Sequence, residues 1–152
     1  MAIKEKLQEM GLIIPVAAVP LAEYVPAVKV GDFVYTSGQL PMADGNLKYE
    51  GKVGLDVTVE DGFEAARLCA INCLAALGTV SDIEKIVKVV KVTGFVNSAP
   101  GFTGQPAVMN GASKLLKDIF GDIGVHARSA VGMAELPRNA AVEVEMIFMV
   151  KE

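Results

Sequence analysis

The chain has 152 residues, 52% of them hydrophobic, with a formal charge of -4 at pH 7 and a pI near 5.1. That length supports one hydrophobic core and predicts a single domain over residues 1–152. The acidic balance, the lack of Trp and an aromatic content of 6% argue against a nucleic-acid partner, which needs a basic field and stacking platforms.

The N-terminus mixes charged and apolar residues at helical spacing, predicting a short helix over about residues 2–10 within an extension of residues 1–19. It lacks the basic-then-apolar order of a secretion signal. The apolar run Leu12–Val19 is interrupted by proline and too short to span a bilayer. A cytoplasmic protein with no membrane partner is expected.

Ala27–Val30 and Phe33–Gly38 read as strands joined at Gly31-Asp32, a hairpin signal. A loop rich in Gly, Asp, Asn and Pro follows over Leu40–Val53, with Asn46–Glu50 a short extended piece. Thr58-Val59-Glu60-Asp61 has the capping-box pattern and opens a long helix. Its residues Phe63, Ala66, Ala70, Leu74 and Leu77 recur at steps of three or four, and Gly78 closes it. Cys69 and Cys73 share one face of that helix. With one His in the chain a metal-ligand set is lacking, so both read as buried free thiols in a reducing compartment.

Ser81–Glu84 makes a helical turn. Ile86–Asn97 is a β-branched strand, with Lys85, Lys88 and Lys91 read as its solvated face. Gly104–Phe120 supplies a second helix that ends at Gly121. Ala130–Glu135 and Ala141–Val150 read as a strand pair across the turn Leu136-Pro137-Arg138-Asn139.

The order β-β-α-β-α-β-β predicts an α+β two-layer sandwich, with a mostly antiparallel sheet and two helices on one face. In the last strand Val142, Val144, Met146, Phe148 and Val150 suit the helix side. The alternate set, Glu143, Glu145, Ile147 and Met149, is more apolar than a water-facing surface. A homo-oligomer packed sheet to sheet is expected.

No hydrolytic triad, phosphate loop, dinucleotide fingerprint or metal cluster can be assembled from this inventory. Arg128, Glu143, Tyr24, Ser37 and Asn110 remain as polar groups in apolar or Gly-rich surroundings. A guanidinium at the start of an apolar strand needs an anionic partner, and its planar fork suits a small carboxylate. Glu143, on what reads as the neighbouring strand, offers a structural ion pair; a bound ligand is the alternative.

The strings Tyr35-Thr36-Ser37-Gly38-Gln39-Leu40-Pro41 and Ala127-Arg128-Ser129-Ala130-Val131, with Glu135-Leu136-Pro137 and Val142-Glu143-Val144-Glu145 behind them, resemble signature elements of the reactive-intermediate deaminase family. This is the Rid or YjgF type, long labelled L-PSP endoribonucleases. The resemblance spans about residues 20–151 and includes the order of elements. It implies a chorismate-mutase-like fold assembled as a homotrimer, with sheets facing inward and ligand clefts between subunits.

The resemblance further implies hydrolysis of 2-imino acids and enamines to 2-oxo acids and ammonia, with no cofactor or metal. Carried over by position, Arg128 would hold the substrate carboxylate and Tyr24 would close the cleft. Ser37 and Gly38 would form the turn beside the ligand, and Asn110 would be the second-helix asparagine. Glu143 would position or polarise the attacking water, held also by backbone groups near Ala130.

Four departures from the pattern point to a divergent subgroup. Ala130 stands where the family commonly has cysteine. His126 replaces the proline usual in the deaminases, so it is either a titratable group on the cleft rim or a surface loop histidine. The N-terminal extension and the loop Phe102–Ala107 are also atypical. Two other functions stay open: non-catalytic binding of small carboxylates such as 2-oxo acids, and the endoribonuclease activity of the label, for which the composition supplies no basic groove.

Overall fold

Two long helices lie across one face of a five-stranded sheet in the computed structural model, which describes residues 2–18, 20 and 22–152. Met1 and Val19 of the extension, and Leu21 near the start of the family resemblance, lie outside the described residues. In chain order the elements are α1 (Ile3–Glu9), β1 (Ala27–Val30), β2 (Phe33–Thr36), β3 (Met42–Ala43), β4 (Asn46–Leu47) and α2 (Val59–Leu77). There follow β5 (Ile86–Asn97), α3 (Gln105–Phe120), β6 (Ala127–Met133) and β7 (Val142–Val150). The α+β, mostly antiparallel architecture is as the element order predicts.

The order across the sheet is β1-β2-β7-β5-β6, with only β5 and β6 parallel. This corrects the reading of the last two strands as a pair. The connection β5–α3–β6 is a helical crossover, which returns the chain parallel to its starting strand. The remaining edge of β5 is then filled by β7, so β5 separates β6 from β7.

Strand β5 contains two register irregularities against β7, at Val87 and at Val90, where two of its residues face one partner step. Each adds a residue to the repeat. Ile86, Val89 and Val92 are therefore all buried at intervals of three instead of two, and the regular spacing of Lys85, Lys88 and Lys91 has the same origin. Lys88 is exposed and Lys85 and Lys91 are partly exposed, and each also has a partner: Lys85 pairs with Glu152 at 2.7 Å, Lys88 donates to the Asp122 carbonyl at 3.2 Å, and Lys91 donates to Ser129 Oγ at 3.2 Å.

Thr58 caps α2 as its sequence predicts, accepting from the Asp61 N–H at 3.1 Å. Gly78 ends the helix in right-handed conformation, with φ of -57°, so freedom of φ is not why glycine stands there. The extended piece foreseen at Asn46–Glu50 is β4, paired with β3 across Asp44-Gly45, both at positive φ. Asp-Gly is the favoured pair for such a tight hairpin.

Val142, Val144, Met146, Phe148 and Val150 are buried beneath the helices. Helices α2 and α3 approach closely: a β-carbon at Gly111 would come within 1.9 Å of the Phe63 carbonyl oxygen. That contact fixes how α3 is rotated, and so where Asn110 and Ser113 point. Cys69 and Cys73 are buried between α2 and β7, with their thiols against the carbonyls of Val142 and Val144 at 3.6 and 3.3 Å. The opposite sheet face has no layer over it among the described residues. Val28, Val30, Phe33, Tyr35 and Val131 remain exposed there, beside Phe95, Ile147 and Met149 on the same face by register.

Candidate functional site

Strand β6 is an edge strand, and Arg128 lies opposite Val92, whose side chain is buried under the helices. Alternation therefore sends the Arg128 side chain to the helix side. There its Nη1 donates to Asn110 Oδ1 at 2.9 Å and to Ser113 Oγ at 3.2 Å, both on α3. Among the described residues no carboxylate lies within ion-pair distance of Arg128. A partly buried guanidinium is thus held in place by neutral oxygens, with most of its five donors left for something else.

A cavity of about 280 Å³ opens beside it, lined by Ser113, Lys117, Gly124, Val125, His126 and Arg128. His126, half-buried in the loop before β6, lines this cavity: Nδ1 lies 2.6 Å from the Gly124 carbonyl oxygen and Nε2 2.9 Å from Ser113 Oγ. Burial lowers its pKa, the Gly124 carbonyl opposes that, and the charges of Arg128 and Lys88 lower it further. Ser113 was not singled out from the sequence. The available signal was its position three residues after Asn110, which puts both on one helix face.

Glu143 belongs to a different part of the sheet. It lies opposite Phe95 on the uncovered face, and its carboxylate packs against Gly38, where a β-carbon would meet Oε2 at 2.7 Å. Burial, and then the charge of Glu145, raise its pKa. The Ser37-Gly38 turn beside it is tightly tied. The Ser37 N–H donates to the Pro26 carbonyl at 2.8 Å and its hydroxyl to the Val25 carbonyl at 2.7 Å, while Gln39 exchanges backbone bonds with Val144 at 2.8 and 3.0 Å. These bonds hold the segment bearing Tyr24, whose side chain is exposed.

Tyr24, Ser37, Gly38 and Glu143 therefore form one group, and Asn110, Arg128 and partly buried Ala130 another. The structural ion pair expected between Arg128 and Glu143 does not form. The two residues sit on opposite faces of the sheet with β5 between their strands, roughly 10 Å apart across the strands alone. Among the described residues no cluster of three or more His, Cys, Asp or Glu is arranged to hold a metal ion, and no helix is long and apolar enough to cross a membrane.

The family model described as "YjgF/chorismate_mutase-like, putative endoribonuclease" matches residues 4–150. The chain belongs to the YjgF family. Within it, the chain is 43% identical to Protein TCP17 of Trypanosoma cruzi over 143 residues, covering 93% of this chain and 89% of that protein. It is 34% identical to the 2-iminobutanoate/2-iminopropanoate deaminase of Dermatophagoides farinae over 137 residues, covering 90% and 93% respectively. The crystal structure of Atu1372, of unknown function, from Agrobacterium tumefaciens superposes with a TM-score of 0.90 at 46% identity, covering 98% of this chain and 92% of that one. The chorismate-mutase-like YjgF fold is thus that of this chain, and its family includes proteins named as imine deaminases and as endoribonucleases.

Proposed function

We propose that this YjgF-family chain hydrolyses 2-imino acids and their enamine tautomers to 2-oxo acids and ammonia, in clefts completed by a second copy within a homotrimer. The observation that carries this reading is Arg128, a partly buried cation with no carboxylate partner among the described residues, beside a cavity sized for a small ligand. A carboxylate gripped there by two N–H donors satisfies the guanidinium.

Water adds to the imine carbon and gives a tetrahedral carbinolamine. The nitrogen takes up a proton and leaves as ammonia, and the carbinolamine hydroxyl becomes the oxo group. The imine is already electrophilic, so orientation, one water and a proton shuttle suffice. Glu143, with its raised pKa, takes a proton from the attacking water and returns it to the departing nitrogen. Backbone groups near Ala130 help hold that water, and Tyr24 closes the cleft above the Ser37-Gly38 turn.

Because Arg128 and Glu143 lie on opposite faces of one sheet, the pair is brought together by the β6 edge of one copy meeting the Ser37–Glu143 region of the next. The uncovered face with Val28, Phe33 and Tyr35 supplies apolar surface for such an assembly. Single substitutions Val28→Glu and Tyr35→Glu are expected to lower the sedimentation mass of the particle; trimers in both would remove this face from the interface.

The functional test is hydrolysis of 2-iminopropanoate, generated in situ by an amino-acid oxidase. Wild type is expected to accelerate it, and Arg128→Ala to reduce kcat/KM by about a hundredfold or more, the scale of a truncated charge pair. Equal rates in both proteins would defeat the proposal.

The separation of Arg128 from Glu143 within one copy favours a second reading, binding of small carboxylates without turnover. It predicts saturable 2-oxo acid affinity, lost in Arg128→Ala, and no rate above background. Endoribonuclease action fits least, since a phosphate track needs free cations, and Lys29 and Lys85 are tied to Glu152 and Lys114 to Asp118.

A further inference from the structure

The Gly124 carbonyl can only accept, so the Nδ1 it touches at 2.6 Å carries the ring hydrogen of neutral His126. Nε2 is then an acceptor, and the Ser113 hydroxyl donates to it across 2.9 Å. Ser113 Oγ in turn accepts from Arg128 Nη1 at 3.2 Å. The three side chains form one directed chain of hydrogen bonds, running from the guanidinium through the hydroxyl to the imidazole and ending on backbone. All three line the same cavity.

We infer that Ser113 and His126 are positioning residues for Arg128, and that they couple the binding of a small carboxylate in this pocket to uptake of one proton by the His126 ring. The inference rests on the reading that Arg128 receives the ligand carboxylate. When the ring takes up a proton, Nε2 becomes a donor and its bond to Ser113 reverses. The serine hydrogen swings away from the ring and is free to donate to an anion in the cavity. Ser113 Oγ still accepts from Arg128, so the guanidinium keeps its place while the pocket gains a positive charge and a donor.

Without an anion that second charge is disfavoured. Lys88 on β5 and Arg128 on β6 both act on the ring, and Lys117 on α3 lines the same cavity. The turn after α3 contributes the backbone carbonyls of Gly124 to the ring and of Asp122 to Lys88, while its one acid, Asp122, lines none of the cavity and is not among the charges acting on the ring. A bound carboxylate would supply the negative charge that these elements do not. Proton uptake and anion binding therefore favour each other, by the reciprocity of linked equilibria.

His126 is the sole histidine of the chain, so its ring proton gives one unambiguous NMR signal in the untagged protein. The test is a pH titration of that signal with and without saturating 2-oxobutanoate, alongside ligand affinity at each pH. In wild type the midpoint is expected to rise by about one pH unit on saturation, equivalent to roughly tenfold tighter binding at low pH than at high pH. His126→Gln, whose amide can still bond Ser113, is expected to bind near the wild-type high-pH affinity and to lose that part of the pH dependence. Ser113→Ala is expected to weaken binding throughout and to shrink the midpoint shift.

A wild type that binds 2-oxobutanoate with an unchanged His126 midpoint would overturn the relay and leave the carboxylate reading standing. An affinity profile identical in wild type and His126→Gln would do the same, assigning the pH dependence to Glu143 or another acid. No binding by wild type at any pH would remove the carboxylate reading, and the relay with it.

Discussion

Gly38 and Glu143 are in such close contact that any side chain at position 38 would displace the carboxylate, since a β-carbon there would meet Oε2 at 2.7 Å. The glycine is thus a spatial requirement of the candidate site. Gly38→Ala is expected to fold, because the strain is relieved by rotating the end of a half-buried carboxylate, but to lose the proposed imine hydrolysis. Displacement of a catalytic group by about 1 Å can cost on the order of a hundredfold in rate. Activity beside a circular-dichroism melt checks this; wild-type kcat with a normal melt would remove Glu143 from the chemistry.

Glu143 itself has a stability signature. Burial, and then Glu145, make the folded chain hold the Glu143 proton more tightly than the unfolded chain does. A raised folded pKa favours folding at low pH, and that contribution is lost as pH rises through the folded value. Glu143→Gln is therefore expected to melt above wild type at neutral pH and level with it below the ordinary carboxylate range, while turnover falls. Gain of stability with loss of function is the mark of a group kept for chemistry. A Gln variant less stable at neutral pH would contradict this account.

The short helix α1 is anchored from a distance. Its first turn has no capping side chain of its own; instead the Ile3 and Lys4 N–H groups donate to the Glu84 carboxylate at 3.0 and 2.7 Å. A helix of this length does not hold by itself in water. Removing the cap by Glu84→Ala is expected to cost about 1 kcal/mol and to accelerate amide exchange selectively over residues 3–9. Unchanged exchange there would show that packing of Leu7 suffices.

The buried thiols give a chemical prediction. Burial raises both, Cys69 well above its ordinary value and Cys73 to about 12. The nucleophile is the thiolate, so neither is expected to react with a thiol reagent in the folded protein at pH 8, and both should react in denaturant. Fast labelling of folded protein would indicate local opening of α2 from β7.

Much of this molecule was legible from residue pattern. The element order, the cap at Thr58, the burial of one alternate set in β7 and the placement of Cys69 and Cys73 on one buried face all follow from local periodicity, because side-chain direction repeats at 3.6 residues in a helix and 2 in a strand. The family strings around Ser37 and Arg128 were also visible, since they are contiguous.

What local pattern does not contain is which strand lies beside which. A strand pair joined by a short turn and a pair separated by a third strand have the same alternation, so reading β6 and β7 as neighbours suggested an Arg128–Glu143 ion pair that the sheet order excludes. The period of three in β5 arises from bulges that exist only against β7. The chain from Arg128 through Ser113 to His126 depends on the azimuth of α3, set by its contact with α2 at Gly111. Sequence by itself determined most of the elements and the buried faces of α2 and β7, because those are properties of one segment. Tertiary structure alone decided which polar groups meet, because hydrogen bonds between elements depend on register and rotation, and these are settled only when the elements pack.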